Sequence, residues 1–202
     1  MRPENSLAMA IEITYRRTKR LSMRIVKNGD VHVSAPIGTP RDTVMRFIND
    51  NKEWIAQARK STYERQKQQF DFFHQLPLQT REQCNEAADR LLAIVKPLCT
   101  RYTKLMGVRP SGYVIKTMTS RWGRCNVRTG EIAFSVYLLL LPEWCIEHVV
   151  VHELAHLIEA NHGPRFHALM DRYFPRWREA RRETRRLSRA AIAGDDDETD
   201  GD

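Results

Sequence analysis

His148-Val149-Val150-Val151-His152-Glu153-Leu154-Ala155-His156, with His162 six residues further on, is the stretch from which the fold follows. On a helix, residues four apart stand one above the other on a single face, so His152 and His156 can both reach one zinc ion. Glu153 lies one step to the side, placed to hydrogen-bond a water on that ion. The next residues, Glu159-Ala160-Asn161-His162-Gly163-Pro164, should break the helix. Asn161 tolerates left-handed dihedrals, Gly163 is permissive, and Pro164 suits the first position of a new helix. Such a turn would swing His162 back as a third ligand. Three protein nitrogens and one water make the open coordination of a catalytic zinc, one ion per chain, rather than the closed set of a structural one. The competing reading is a buried helix whose histidines face solvent. Ile146, Val150, Leu154, Leu157 and Ile158 fall on one side, with His148, His152, His156 and Glu159 opposite, which predicts one face for the core and one for chemistry.

With 202 residues and 42% hydrophobic content, the chain can bury a core in one domain, or in one domain plus a small lobe. Its longest apolar run, residues 136–141, is too short to span a bilayer, and the charged first twenty residues contain no signal-peptide core. Cys84, Cys99, Cys125 and Cys145 form no C-x-x-C pair and read as reduced thiols, so a cytoplasmic protein is expected. The net charge of +8 is uneven: residues 194–202 hold six acidic groups and no basic one, leaving +14 on the rest. That tail reads as disordered. Residues 165–189 hold nine arginines. Such a block fits either a solvated helical face or a nucleic-acid partner, and the former is the commoner outcome for a charge run. The acidic tail could also fold back over it.

Taken in order, residues 1–10 read as a loose end. Alternating residues 11–15 and 21–26, the turn Lys27-Asn28-Gly29-Asp30 and the returning strand 31–36 predict a small antiparallel lobe. Arg16, Arg17, Lys19, Arg20 and Arg24 would make its surface basic. Thr39-Pro40 opens a helix that runs to about residue 67, so 11–70 forms a hairpin lobe plus helix. The aromatic, proline-bearing stretch 71–79 reads as a connection, packed rather than ligand-binding. Thr80-Arg81-Glu82-Gln83 resembles a capping box and starts a long helix, interrupted by Pro97 and ending near Gly107. Strands are expected at 112–118 and 131–136, with Ser120-Arg121-Trp122-Gly123-Arg124-Cys125-Asn126-Val127-Arg128-Thr129-Gly130 as a loop too rich in Arg, Trp, Gly and Asn for a plain turn. There Arg121 could steady developing oxyanion charge and Trp122 could hold a substrate side chain, although a tryptophan near a hairpin is more often packed. Pro142, Pro164 and Pro175 mark the last three helix starts. The domain carrying the motif would occupy 80–193, and no internal repeat is evident.

Ser120-Arg121-Trp122-Gly123, Pro142, His152-Glu153-Leu154-Ala155-His156 and Asn161-His162-Gly163-Pro164-Arg165-Phe166 together resemble the YgjP-like zinc metallopeptidases, relatives of the SprT-like proteases. Val33-Ser34-Ala35-Pro36 and Trp54-Ile55 fit that family's front lobe, so the resemblance covers nearly all of residues 11–187. It implies an α+β fold: a minimal zincin core, with the metal-binding helix packed on a small antiparallel or mixed sheet, a β-rich N-terminal lobe and C-terminal helices. It also implies His152, His156 and His162 as ligands and Glu153 as general base. The family commonly has serine where Arg124 and Gly163 stand and a bulky aromatic where His167 stands. Glu159 and His148 share the ligand face, so either would orient a histidine or compete as ligand; His167 is a further candidate of that kind.

A peptidase on this plan would bind an extended or unfolded segment by β-augmentation, with strand 131–136 as the edge strand. Trp122, Ile132 and Phe134 would face the substrate, with Arg121 or Tyr173 helping the oxyanion. The rival is a nucleic-acid-associated module with a structural zinc, for which Cys125 or Cys145 would have to supply a fourth ligand. A protease recruited to DNA-bound proteins combines the two.

Overall fold

In the computed structural model, which describes residues 9–188, the alternation at the start of the chain becomes three strands: β1 (Ile11–Arg16), β2 (Ser22–Ile25) and β3 (Val31–Pro36). Most of the loose end read at 1–10 and the whole acidic tail lie outside the described residues. Strands β2 and β3 form the hairpin that Asn28-Gly29 announces, with Gly29 at a φ of 85°. Strand β1, however, lies parallel to β3 on its other edge, Ile11 opposite Val31. The lobe is therefore mixed rather than antiparallel. Val31, Val33 and Ala35, all at most 1% exposed, share one face of β3 and make it the most deeply buried strand of the sheet. It takes the centre, and β1 and β2 take the edges. One face of this sheet meets Val44, Ile48 and Ile55 in a separate small core. The other carries Glu12 and His32, whose side chains pair at 3.0 Å.

The single helix expected up to residue 67 is two: α1 (Arg41–Asp50) and α2 (Lys52–Phe73). At the break, the Asn51 amide donates to the Phe47 carbonyl at 2.8 Å, a side-chain bond of the kind that competes with helix continuation. Helix α2 then runs past residue 67 and absorbs Phe70, Phe72 and Phe73, so the connection is shorter than the sequence suggests. Phe72 and Phe73 belong to the second core, and their burial extends the helix. The chain divides after Lys67 into two compact units.

The second unit starts with α3 (Arg81–Met106). The Thr80 hydroxyl accepts from the Gln83 backbone N–H, the Gln83 side chain accepts from the Thr80 N–H, and Gly107 closes the far end at a φ of 70°. The assigned helix continues through Pro97. Leu91, Val95, Cys99 and Tyr102 form its buried stripe. Then follow β4 (Gly112–Lys116), β5 (Gly123–Asn126) and β6 (Glu131–Ser135), a 3-10 turn (Val136–Leu140), α4 (Glu143–Ala155), α5 (Pro164–Tyr173) and α6 (Trp177–Ser188). Residues 123–126 of the Arg- and Trp-rich loop are thus a strand. The sheet repeats the plan of the first: β6 lies in the centre, parallel to β4 and antiparallel to β5. The H-E-x-x-H helix packs on this small mixed sheet, as the zincin plan requires, and helices close the C-terminal side. No helix among the described residues is long and apolar enough to cross a membrane.

Helix α4 departs from the expected two-faced pattern. Cys145, Ile146, His148, Val149, Val150, Val151, Glu153, Leu154 and Ala155 are all buried, so both faces are covered. Leu157 and Ile158 lie beyond its end, and Ile158 is exposed. Tyr102 ties α3 to α4 by donating to the Glu147 carboxylate at 2.6 Å. Because Leu91 is fully buried on α3, truncating it should leave a cavity in this support. Leu91→Ala is expected to lower the unfolding free energy by about 2–5 kcal/mol in urea titration; a loss below about 1 kcal/mol would show that the site can collapse around the gap.

Candidate metal centre

The last turn of α4 and the turn after it bring three imidazoles together. The His152 Nε2 lies 3.0 Å from the Nε2 of His162 and 3.2 Å from that of His156. All three ligand atoms fall within 4.8 Å of one another. A tetrahedral ion about 2.0–2.1 Å from each nitrogen would hold such atoms about 3.3 Å apart, so the donor set fits zinc in both chemistry and spacing. Pro164 starts α5 immediately after the turn, and Gly163 precedes it in extended conformation. The His156 Nδ1 faces the Glu159 carbonyl at 3.3 Å. With the proton on Nδ1, that bond leaves the Nε2 lone pair free for a metal. Burial first, and then the neighbouring His148, His156, His162 and Arg181, hold His152 well below the usual histidine range; burial and then His162 lower His156. Neutral imidazole is the form that ligates.

Phe166, which in the sequence stands out only as the end of the Asn161-His162-Gly163-Pro164-Arg165-Phe166 stretch, sits at ring-centroid distances of 4.9, 4.8 and 4.7 Å from His152, His156 and His162. It is buried and gives the three rings a common apolar backing. No spacing rule identifies such a residue, because the contact depends on how α5 folds back over α4. A cavity of about 30 Å³ beside the cluster is lined by His148, His152, His162, Phe166, His167, Trp177 and Arg181. Arg181 thus differs from its neighbours in the basic block by reaching this cavity.

The remaining candidates are placed as follows. Glu153 is only 5% exposed, beside the start of β5. Glu159 supplies its backbone carbonyl to His156, while its carboxylate pairs with Arg165 at 3.4 Å. His148 is buried 6.0 Å from the His152 ring, and its Nδ1 has no hydrogen-bond partner. His167 stacks on Trp177 at 5.3 Å. Among the described residues, none of these four joins the metal-holding group, nor do Cys125 and Cys145. A fourth protein ligand, which the structural-zinc reading needs, is therefore lacking there. Arg121 is exposed on its loop, and Tyr173 is half-buried under Arg172, 5.2 Å from its ring. Neither lines the cavity.

Three substrate-facing expectations are corrected. Trp122 is 4% exposed and packs edge-on against Phe72 at 6.2 Å, so its indole is core. Ile132 and Phe134 are fully buried. Strand β6, which carries them, is the central strand, because its inward residues are the most apolar of the sheet. The edge beside α4 is β5. In the arginine-rich segment, Arg178 pairs with Asp171 at 2.6 Å, Arg176 with Glu179 at 3.0 Å and Arg186 with Glu183 at 2.7 Å.

Residues 77–187 match the sequence model of the YgjP-like metallopeptidase domain. No curated protein matches the chain. Among solved structures, the metallopeptidase zymogen abylysin of Pyrococcus abyssi is similar over 48% of this chain and 98% of its own, with 22% identity and a TM-score of 0.44.

Burial, and secondarily the Arg181 charge, lowers His148 to about 4. The unfolded chain then binds more protons than the folded one between pH about 6.5 and 4, so stability is complete above this window and falls through it. For the metal-free chain, the loss from this residue should approach about 3 kcal/mol by pH 4. Urea titrations across that range should show a shallower pH dependence in His148→Leu; an unchanged slope would remove His148 as the cause.

Proposed function

Since the chain belongs to the YgjP-like metallopeptidase family, we propose that it is a zinc-dependent peptidase that hydrolyses extended or unfolded protein segments. The observation carrying this reading is the convergence of three histidine Nε2 atoms at 3.0 and 3.2 Å with a buried glutamate on the same helix. His152, His156 and His162 would hold the ion. When bound, zinc supplies Lewis acidity toward the scissile carbonyl and lowers the pKa of a coordinated water toward neutrality. Glu153 accepts the proton of the attacking water and delivers it to the leaving amine. Phe166 excludes solvent from behind the imidazoles and keeps their rings in place.

Substrate is best received along β5. This strand has β6 on one side and no strand on the other among the described residues, and Gly123 at its start abuts Glu153. An extended chain pairing there would pass the general base, and pairing through backbone groups favours substrates without fixed structure.

Glu153→Gln should retain about one zinc per chain and lose about 10²–10⁴-fold in the rate of cleaving a reduced, alkylated protein. Metal content by atomic emission and cleavage by gel or mass spectrometry read both quantities. Equal cleavage by the variant would refute the role of Glu153, and a wild-type chain that takes up no zinc would refute the metal centre.

A further inference from the structure

Gly123 stands apart from the other glycines. Gly29, Gly38, Gly107 and Gly130 have positive φ, which accounts for them by backbone conformation. Gly123 does not, so its backbone would admit any residue. What forbids a side chain is space: a Cβ built there lies 2.4 Å from Glu153 Oε1, 2.6 Å from its Cγ and 2.7 Å from its carboxyl carbon. At the other described glycines no neighbouring atom comes closer than 3.3 Å.

The strand side of this contact cannot retreat, so a side chain at position 123 would have to displace the Glu153 carboxylate. The start of β5 is clamped from the sheet side, where the Ser135 backbone N–H donates to the Trp122 carbonyl at 2.8 Å and the Ser135 hydroxyl donates to the Met118 carbonyl at 2.7 Å. Ser135 is fully buried, and the Trp122 indole is plugged into the core one residue before Gly123. Gly123 itself pairs across the sheet with the fully buried Phe134. On the other side, Glu153 rises from a helix buried on both faces. Cys125, two residues along β5, is close enough that the Glu153 charge adds to burial in raising its thiol to about 11. The inner side of β5 is therefore a wall against which the carboxylate rests.

We propose that Gly123 is a positioning residue: the space left by its missing side chain is where the Glu153 carboxylate stands, and the clamped strand fixes that carboxylate relative to the three histidines. This inference rests on the peptidase reading for its catalytic meaning. It also gives Ser120-Arg121-Trp122-Gly123 a physical purpose, with the indole as anchor and the glycine as contact surface.

The test is a double-mutant cycle on the full, zinc-loaded chain. Gly123→Ala should lower kcat about 100-fold, the scale expected for misplacing a catalytic group by about 1 Å, with KM and zinc content within about twofold of wild type. In a Glu153→Gln chain the same change should cost nothing further, because Gly123 acts only through Glu153. A fall of less than threefold, an equal fall in both backgrounds, or loss of zinc together with activity would each overturn the proposal. Should Gly123→Ala fail to fold, Gly123→Ala with Glu153→Ala is expected to fold, since the second change vacates the space; failure of both would also overturn it. If the wild-type chain cleaves nothing, the peptidase reading falls by itself. The contact is then judged by urea unfolding, where Gly123→Ala must shift the midpoint more in the wild-type background than in the Glu153→Ala background.

Discussion

Helix α4 has to be buried on both faces and still carry polar groups, and the rest of the second unit is arranged around that constraint. A buried polar atom without a partner costs about 1–3 kcal/mol, so each group on this helix needs its own solution. The Nδ1 of His156 uses the carbonyl of Glu159, which is available only because the helix ends there. His152 turns its Nε2 toward two other imidazoles. Glu153 occupies a gap opened by the absence of a side chain on β5. His148 has no partner for its Nδ1, and burial keeps it neutral. The buried polar groups thus gather at the C-terminal half of α4, facing α5, α6 and the start of β5, while in its first turns Cys145 and Ile146 are core, Glu143 is exposed and Glu147 accepts from Tyr102.

Two sheets of identical plan support different surroundings. In each, the strand with the most buried apolar residues comes last, forms a hairpin with the strand before it and receives the first strand in parallel on its free edge. The first sheet covers a small core with α1 and α2 and leaves its other face polar. The second is enclosed by the larger core, and its hairpin strand β5 lies along α4. The plan follows from burying a single apolar strand between two half-buried ones. It carries no chemistry of its own; in the second sheet the chemistry comes from one glycine and the helix opposite.

Much of this is readable from residues. The metal-binding pattern, the turn at Asn161–Pro164, the capping box at Thr80 and the left-handed stop at Gly107 are local rules, and local rules act wherever the sequence places them. What escapes reading depends on contacts between distant segments. Strand β5 is hidden because Gly123-Arg124-Cys125-Asn126 has neither β-branched residues nor a clean apolar alternation; pairing with β6 makes it a strand. Periodicity places the histidines opposite a core face, but a helix covered all round has no single apolar stripe to detect. Assigning Ile132 and Phe134 to substrate requires β6 to be an edge, and a sequence does not state strand order; Trp122 is hidden by its contact with the distant Phe72.

The arginine-rich segment shows how the same distinction applies to charge. Trp177, Ala180, Thr184 and Ser188 recur at helical spacing and are buried, which fixes α6 against the second core. Arginines fill the positions left over, where long cationic side chains keep their charge in water while their stems cover apolar surface. Arg176, Arg178 and Arg186 are paired with acidic residues of α5 or α6, and Arg178 also lies over the Trp177 ring. A polyanionic partner is therefore not needed to account for these three. Arg181 stands next to the buried Ala180, at the border of the inward stripe, and from there it lines the cavity beside the histidines. One helix face serves packing, the opposite face serves solubility, and the boundary between them is where a charge can reach a buried site.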